Sequence, residues 1–363
     1  MNNSEIRFIK PCLFKNEAER ELTVKYSWDL LSEGKIAQIN LDNCSLQRME
    51  RLPLNPTIDD VEKVGLLPLV NLLQSGNFSL AAIGMNEMPD RHVENCYVAY
   101  ESFCKKFWPA HKDDVEATHR EYDSNSTDKK MKFRKLPDNA RCTYGPFYVS
   151  MMQIQNIKIN YKDIPAEQQF AIYLHSIISL LNIVSAYEIE LAKYAFWDVS
   201  PKELNKLPAN IIKRKADILD NFARIKSSLD KCQDFCFDAA MDIYWLNGSN
   251  LSENLNHTIS VNGKRYKVDN WVGTNDHKLY RISKDIHSVY EDGLTMKSLE
   301  ITRESEIANT RYWSQVDRTY NDIMIYRNKN NVANCDDLLS KIDRAIDHIE
   351  KEILAGLNTR TKT

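Results

Sequence analysis

Apolar and polar positions alternate along the chain with two different periods. Lys35–Cys44, KIAQINLDNC, carries Ile36, Ile39 and Leu41 in a run of strand length that ends in a polar turn, which predicts a β-strand. From Ile58 to Ser75 the spacing turns helical, with Asp59, Asp60 and Glu62 in the first turn, where the helix dipole favours anions. Gly65 and Pro68 lie inside that stretch and predict a kink or a split, and Gly76 closes it. Phe78–Met85, FSLAAIGM, is a short apolar run bounded by turn residues and reads as a buried strand. Residues 1–34 carry no clear pattern.

Val93–Trp108 has helical spacing, and a polar stretch from His111 to Arg141 reads as an exposed, mobile insertion. Helices dominate from Pro165 onward. Ser200-Pro201-Lys202-Glu203 is a helix start with a serine cap, proline at the first helical position and glutamate three after the cap. Pro208 restarts a helix whose apolar positions recur from Ile211 to Ile243, ending at Asn247-Gly248. TISVNGKRYKV (258–268) alternates around Asn262-Gly263 and predicts a hairpin, and Trp271–Thr274 a further short strand. The tail from Trp313 to Leu357 is helical with a break at Asn328–Asn334. The apolar stretch from Phe170 to Tyr187 approaches membrane-spanning length, but His175, Asn182 and three serines interrupt it, so it reads as a buried helix.

Composition narrows the class. The 363 residues suit two domains, or one with a large insertion. Few glycines (10) and prolines (11) favour a helix-rich architecture over many-turned β folds. A net charge of −3 excludes coating nucleic acid by overall charge, yet leaves room for a local basic groove. Eight scattered cysteines, with no basic-then-apolar N-terminal stretch, predict free thiols in a reducing cytoplasm.

Four acidic positions are candidates for chemistry. Asp42 follows the first strand, where the ligand crevice of an open α/β sheet lies; an Asp-Asn turn explains it too. Glu87 follows the second apolar run, with Glu94 as a substitute. Asp234, Asp238 and Asp242 form one stripe at helical spacing. The segment FCFDAAMDIYWL around the last two is otherwise apolar, so both carboxylates are expected to be buried and to need a cation or an ion-pair partner, with Asp234 exposed. Asp276 follows a strand-like run, and a turn or an N-cap accounts for it as well. KKMKFRK (129–135) sets five basic residues around Phe133. Lys129, Lys130, Lys132, Arg134 and Lys135 suit phosphates and Phe133 suits a stacked base, although a solvated loop has the same composition. Cys232 and Cys236, or Cys96 and Cys104 with His92 and His111, make only loose zinc sets. No Gly-rich phosphate loop, G-x-S-x-G elbow or H-E-x-x-H occurs, which argues against ATPases, α/β-hydrolases and zincins.

The order of these motifs resembles the PIN-domain nucleases, a family of metal-dependent ribonucleases. Leu41-Asp42-Asn43 is similar to the family's first strand end and Ile83–Glu87 to its second. Asp238-Ala239-Ala240 is similar to the acid heading its helix, and Thr274-Asn275-Asp276 to its Thr-x-Asp. The resemblance covers 35–89 and 211–290. It implies an α/β, PIN-like parallel sheet flanked by helices over 35–290, interrupted by a mainly helical insertion at about 90–210, with a helical C-terminal region over 291–363. It further implies an endonuclease dependent on Mg²⁺ or Mn²⁺, RNA favoured over DNA, in a toxin or defence setting. Asp42 and Asp238 would be direct ligands, Asp242 the alternative to Asp238, Glu87 a ligand or water-positioning base, and Asp276 an outer or second-metal acid. The chemistry fits the residue types: hard divalent ions take oxygen ligands, activate water and neutralise charge on a phosphoryl group under attack. The rival expectation is a non-enzymatic interaction protein whose acids are salt-bridged. Its C-terminal helices would form a homo-oligomer or bind a regulatory partner.

Overall fold

The computed structural model describes residues 4–14, 21–108, 120–123, 125–183, 185–248, 257–261, 263–290, 297–330 and 336–360. The chain divides into two units, 1–131 with 245–300, and 132–244 with 301–363.

The first unit is α/β. Its chain runs β1 (Arg7–Ile9), β2 (Cys12–Phe14), α1 (Val24–Ser32), β3 (Lys35–Leu41), α2 (Asn43–Met49), α3 (Ile58–Lys63), α4 (Leu67–Ser75), β4 (Phe78–Ala81), a 3-10 turn Ile83–Glu87 and α5 (Asp90–Phe107). It resumes with β5 (Thr258–Val261), β6 (Lys264–Thr274), α6 (His277–Asp285), β7 (Ile286–Tyr290) and β8 (Lys297–Ile301). The main sheet has the order β1-β6-β3-β4, with β5 also on β6; a small sheet joins β2, β7 and β8. β3 is parallel to both β4 and β6, with Ile39 opposite Leu80 and Trp271, whereas β1 and β5 run antiparallel to β6. The sheet is therefore mixed, not parallel throughout as expected.

β3 is buried along its length from Ile36, as a strand covered on both faces must be. Ala37, Ile39 and Leu41 join Phe78, Leu80 and Trp271 in the core of this unit. On the opposite face Ile36 packs with Val268 and Ile259, and further along Asn40 Nδ2 donates to Asn270 Oδ1 at 3.0 Å, both residues buried. The helical segment 58–75 splits at Gly65, whose φ of +80° favours glycine and whose Cβ position would fall 2.4 Å from the Ser4 carbonyl oxygen. The hairpin forms with Val261 opposite Lys264; its turn residue Asn262 lies outside the described residues.

The second unit is helical. Helix Asp138–Asn160 is buried along most of its length and packs against Ala166–Leu181, Leu229–Ile243 and Leu338–Arg360. Contact with the last is close at Gly145, where a Cβ would fall 2.4 Å from Ile342 Cδ1. The Ser200 capping box forms as its sequence predicts, with the side-chain oxygen of Ser200 accepting from the Glu203 amide. The stretch 170–187 is not one helix, because Asn182 adopts φ +53° and ends Ala166–Leu181 before Ala186–Phe196 begins. Among the described residues no helix is long and apolar enough to cross a membrane.

This division corrects the expected domains. Segment 90–131 stays with the sheet because α5 buries Val93, Cys96, Tyr100, Phe103 and Phe107 in the sheet's own core. Helix Leu229–Ile243, expected within the nuclease domain, belongs to the helical unit, and the C-terminal helices fold with it instead of forming a separate region. Helix Arg311–Asn330 runs through the start of the break expected at Asn328–Asn334, and the rest of that stretch, 331–335, lies outside the described residues.

Candidate functional site

Because β3, β4 and β6 are parallel, their carboxyl ends share one edge of the sheet, the edge where α/β folds place ligands. Asp42, Glu87 and Asp276 all follow these ends. Asp42 caps α2: its Oδ1 accepts from the Cys44 amide at 3.2 Å. Asp276 caps α6, with Oδ1 accepting from the amides of Lys278 at 2.7 Å and Leu279 at 3.1 Å. The turn expected at Asp42 is thus an N-cap, and of the turn or N-cap expected at Asp276 the N-cap forms; each satisfies amides its helix leaves open.

Thr274 joins the two caps. Its hydroxyl donates to Asp42 Oδ2 at 2.5 Å and accepts from the Asp276 amide at 2.9 Å. The Cys44 thiol donates to the same Asp42 oxygen at 3.0 Å and accepts from the Asn275 amide at 3.2 Å. Ser45 extends the seam, donating to Gly273 O at 3.1 Å and to Asn275 Oδ1 at 2.9 Å. From the β4 side, Gly84 lies directly on the Asp42–Asn43 peptide: a Cβ there would fall 2.3 Å from Asn43 N and 2.6 Å from Asp42 C.

Asp42 is only 6% exposed. Burial pushes its carboxyl above the ordinary range, the bonds from Cys44 and Thr274 oppose this, and the negative charge of Asp276 adds to the rise. Burial, then the charge of Asp42, also hold the Cys44 thiol well above its usual value, so it stays a neutral donor. Glu87 ends the 3-10 turn and accepts from Trp245 Nε1 at 2.9 Å. That turn is clamped by Arg120, whose Nη1 donates to the carbonyls of Met85 and Met88, each at 2.6 Å, while Nη2 pairs with Asp90. The stretch 111–141, expected to be a mobile insertion, thus contributes a fixed guanidinium; 111–119, including His111, lie outside the described residues.

Asp238 and Asp242 belong to the helical unit, and the premise for singling them out is corrected. Asp238 is exposed and Asp242 half-buried. Cys232, Cys236, Phe237, Ala239, Ala240, Met241 and Ile243 form the buried side of their helix, which leaves the aspartate stripe facing outward. Asp234, expected to be exposed, is half-buried and pairs with Lys132.

The basic run is also corrected. Phe133 is 3% exposed and stacks on Tyr148, with ring centroids 4.4 Å apart and planes 4° apart, so it is not free for a base. Lys132 pairs with Asp230 and Asp234, and Arg134 with Asp347 and Glu350. Phe133 pins the run to the helical core and these carboxylates take two of its charges. Lys129, Lys130 and Lys135 flank this anchored stretch and are exposed.

Among the described residues no group of three or more His, Cys, Asp or Glu side chains is placed to hold a metal ion. Cys232 and Cys236 are buried thiols raised by that burial, Cys232 to about 11, as in a core. The edge of the sheet offers two carboxylates, Asp42 and Asp276; burial raises the Asp42 carboxyl first, and the charge of Asp276 adds a smaller push in the same direction. That set does not make a closed protein cage. Mg²⁺ and Mn²⁺ in open sites take as few as one or two protein carboxylates, with water and a substrate phosphate completing the shell. Sequence reasoning found the two acids and Thr274; Cys44, Gly84, Arg120 and Trp245 carry no local signal for their roles. No family model, no curated protein and no solved structure matches the chain.

Proposed function

We propose that the first unit is a divalent-metal-dependent phosphodiester hydrolase acting on nucleic acid, RNA before DNA, at the edge marked by Asp42 and Asp276. One observation carries this reading: a buried carboxylate is held, ionised or not, beside a second carboxylate at the ends of adjacent parallel strands. Such a pair is relieved by a proton or by a cation. When bound, Mg²⁺ or Mn²⁺ supplies charge neutralisation at the phosphate and acidity to a coordinated water. Asp42 and Asp276 would hold the ion, with Thr274 and Cys44 fixing the Asp42 carboxylate. Glu87, oriented by Trp245, is the proton acceptor on the neighbouring strand end. Asp238 and Asp242 have no part in this version of the site.

The test is digestion of single-stranded and structured RNA with and without EDTA, alongside melting with Mn²⁺. The expected result is EDTA-sensitive cleavage and a Mn²⁺-dependent rise in Tm, both lost in Asp42→Asn. Intact RNA together with a Tm indifferent to Mn²⁺ overturns the reading. A toxin or defence role follows only if that cleavage harms a cell expressing the protein.

A non-enzymatic interaction role suits the helical unit, where a charge network supports the rival expectation. Glu190, Arg303, Lys193 and Asp317 are tied together by ion pairs, Lys193 reaching Asp317 at 2.8 Å and Glu190 at 3.2 Å. Helix Arg311–Asn330 exposes Ile325 and Tyr326. Light scattering across a concentration series checks this: a constant monomer mass argues against self-association.

A further inference from the structure

A cavity of about 320 Å³ opens beside the proposed site, between α2 and the start of α5. Asn43 and Gln47, one turn apart on α2, line it with their amides, and Gln47 Nε2 donates to Asn43 Oδ1 at 3.1 Å. Met88 and Pro89 give it an apolar wall, and Glu50, Arg51 and His92 supply its polar side. Asn43 follows Asp42 in sequence and Met88 follows Glu87, so the cavity starts one residue from each of two candidate acids. Its volume is at the small end of the roughly 300–1,000 Å³ typical of ligand sites, the scale of one nucleotide.

The charges are arranged for a nucleotide rather than a bare anion. Glu50 lines the cavity beside Arg51 and His92: burial raises its carboxyl, and the charges of His92 and Arg51 draw it back. An ionised carboxylate only accepts hydrogen bonds. Among the four RNA bases, guanine alone offers two adjacent donors, N1–H and the N2 amino group, on its Watson–Crick edge. Adenine and cytosine set a ring acceptor beside their amino group, and uracil flanks its single donor with carbonyl oxygens. A carboxylate at the wall therefore pairs with guanine and repels the others. Met88 and Pro89 suit the face of a base, and Arg51 and His92 suit its phosphate.

Resting on the hydrolase reading of the adjoining edge, we propose that this cavity is a guanine-selective nucleotide subsite that sets where single-stranded RNA is cut. The experiment titrates the full-length protein with GMP, AMP, CMP and UMP by calorimetry. In parallel, a random-sequence RNA is digested in Mn²⁺ and its new ends are sequenced. GMP is expected to bind about tenfold or more tightly than the other three, the scale of one lost bidentate base contact, and guanine to be enriched at the cut. Glu50→Gln, which exchanges one acceptor for a donor, is expected to abolish that preference. Equal affinities for the four nucleotides, or an undiminished GMP preference in Glu50→Gln, overturn the subsite. GMP selectivity without RNA cleavage upholds the subsite and sinks only the hydrolase reading. Cleavage with no guanine enrichment and no GMP preference does the opposite.

Discussion

Thr274 Oγ1 donates to Asp42 Oδ2 across 2.5 Å, joining the ends of two adjacent parallel strands that lie 232 residues apart in the chain. The same oxygen accepts from the Asp276 amide, so one hydroxyl orders both candidate acids. Thr274→Val keeps the shape and removes the hydroxyl. The Asp42 carboxylate then loses a donor in a buried place, which costs about 1–3 kcal/mol. Denaturant titration at pH 7 is expected to show that loss, and the Mn²⁺-induced rise in Tm should shrink. An unchanged midpoint would mean that the bond contributes nothing to order at this edge.

Asp42→Asn should separate stability from function. The folded carboxyl is raised above its unfolded value, so the stability it contributes is present below the unfolded pKa and lost as pH rises through the folded one. At neutral pH the isosteric amide removes burial of charge and the repulsion from Asp276. The amide NH2 also replaces an oxygen that accepts from its neighbours, so the test is the pH dependence: the Tm of the metal-free variant relative to the natural protein is expected to be higher at pH 7.5 than at pH 3.5. A difference that is the same at both pH values contradicts the electrostatic account of the site.

Gly84→Ala probes the approach of the β4 edge to the Asp42–Asn43 peptide. The added methyl meets backbone atoms, which cannot swing away as a side-chain tip would. Overpacking of this kind costs about 1–3 kcal/mol. The expected outcome is a fall in Tm together with weaker Mn²⁺ stabilisation, because the displaced peptide carries Asp42.

Phe133→Ala distinguishes a core residue from a base-stacking one. Removal of a buried phenylalanine costs about 3–5 kcal/mol, and here it also removes a stack on Tyr148. Chemical denaturation should report that loss, while RNA affinity measured on the fraction that remains folded stays unchanged. A variant of natural stability with weakened RNA binding would restore the basic run as an interface.

The parts of this architecture legible in the sequence are those set by local signals. The Lys35–Leu41 strand, the split at Gly65, the Ser200 capping box and the hairpin before β6 all rest on period, cap or turn chemistry within a few residues. Asp42 and Asp276 were legible as residues closing strands, and their meeting through Thr274 was foreshadowed only by the order of motifs. What the sequence hid was set by distant partners. Phe133 looks available until Tyr148 covers it, and Asp238 looks buried because its neighbours are apolar. Only the packing against helix Asp138–Asn160 decides which side of that helix turns inward. Arg120 lies in a polar stretch with no period, yet two carbonyls and a carboxylate 30 or more residues away hold it.

Glu188 in the helical unit yields a pH test independent of any activity. It is 4% exposed near the start of helix Ala186–Phe196 and accepts from the Ser185 hydroxyl. Burial outweighs that bond and raises its carboxyl from 4.5 to about 7. Because the folded value exceeds the unfolded one, the folded protein holds a proton that the unfolded chain releases. The stabilisation is complete below about pH 4.5 and disappears as pH rises through about 7. Its full size is on the order of 3 kcal/mol. Glu188→Gln keeps an acceptor for Ser185 and carries no charge at any pH. Urea titrations of both proteins between pH 4.5 and 8.5 should give a variant about equal to the natural protein at the acid end and more stable at the alkaline end. The difference curve should rise across the interval between the two values. A flat difference would mean that Glu188 stays ionised in the folded protein, with a partner strong enough to offset its burial.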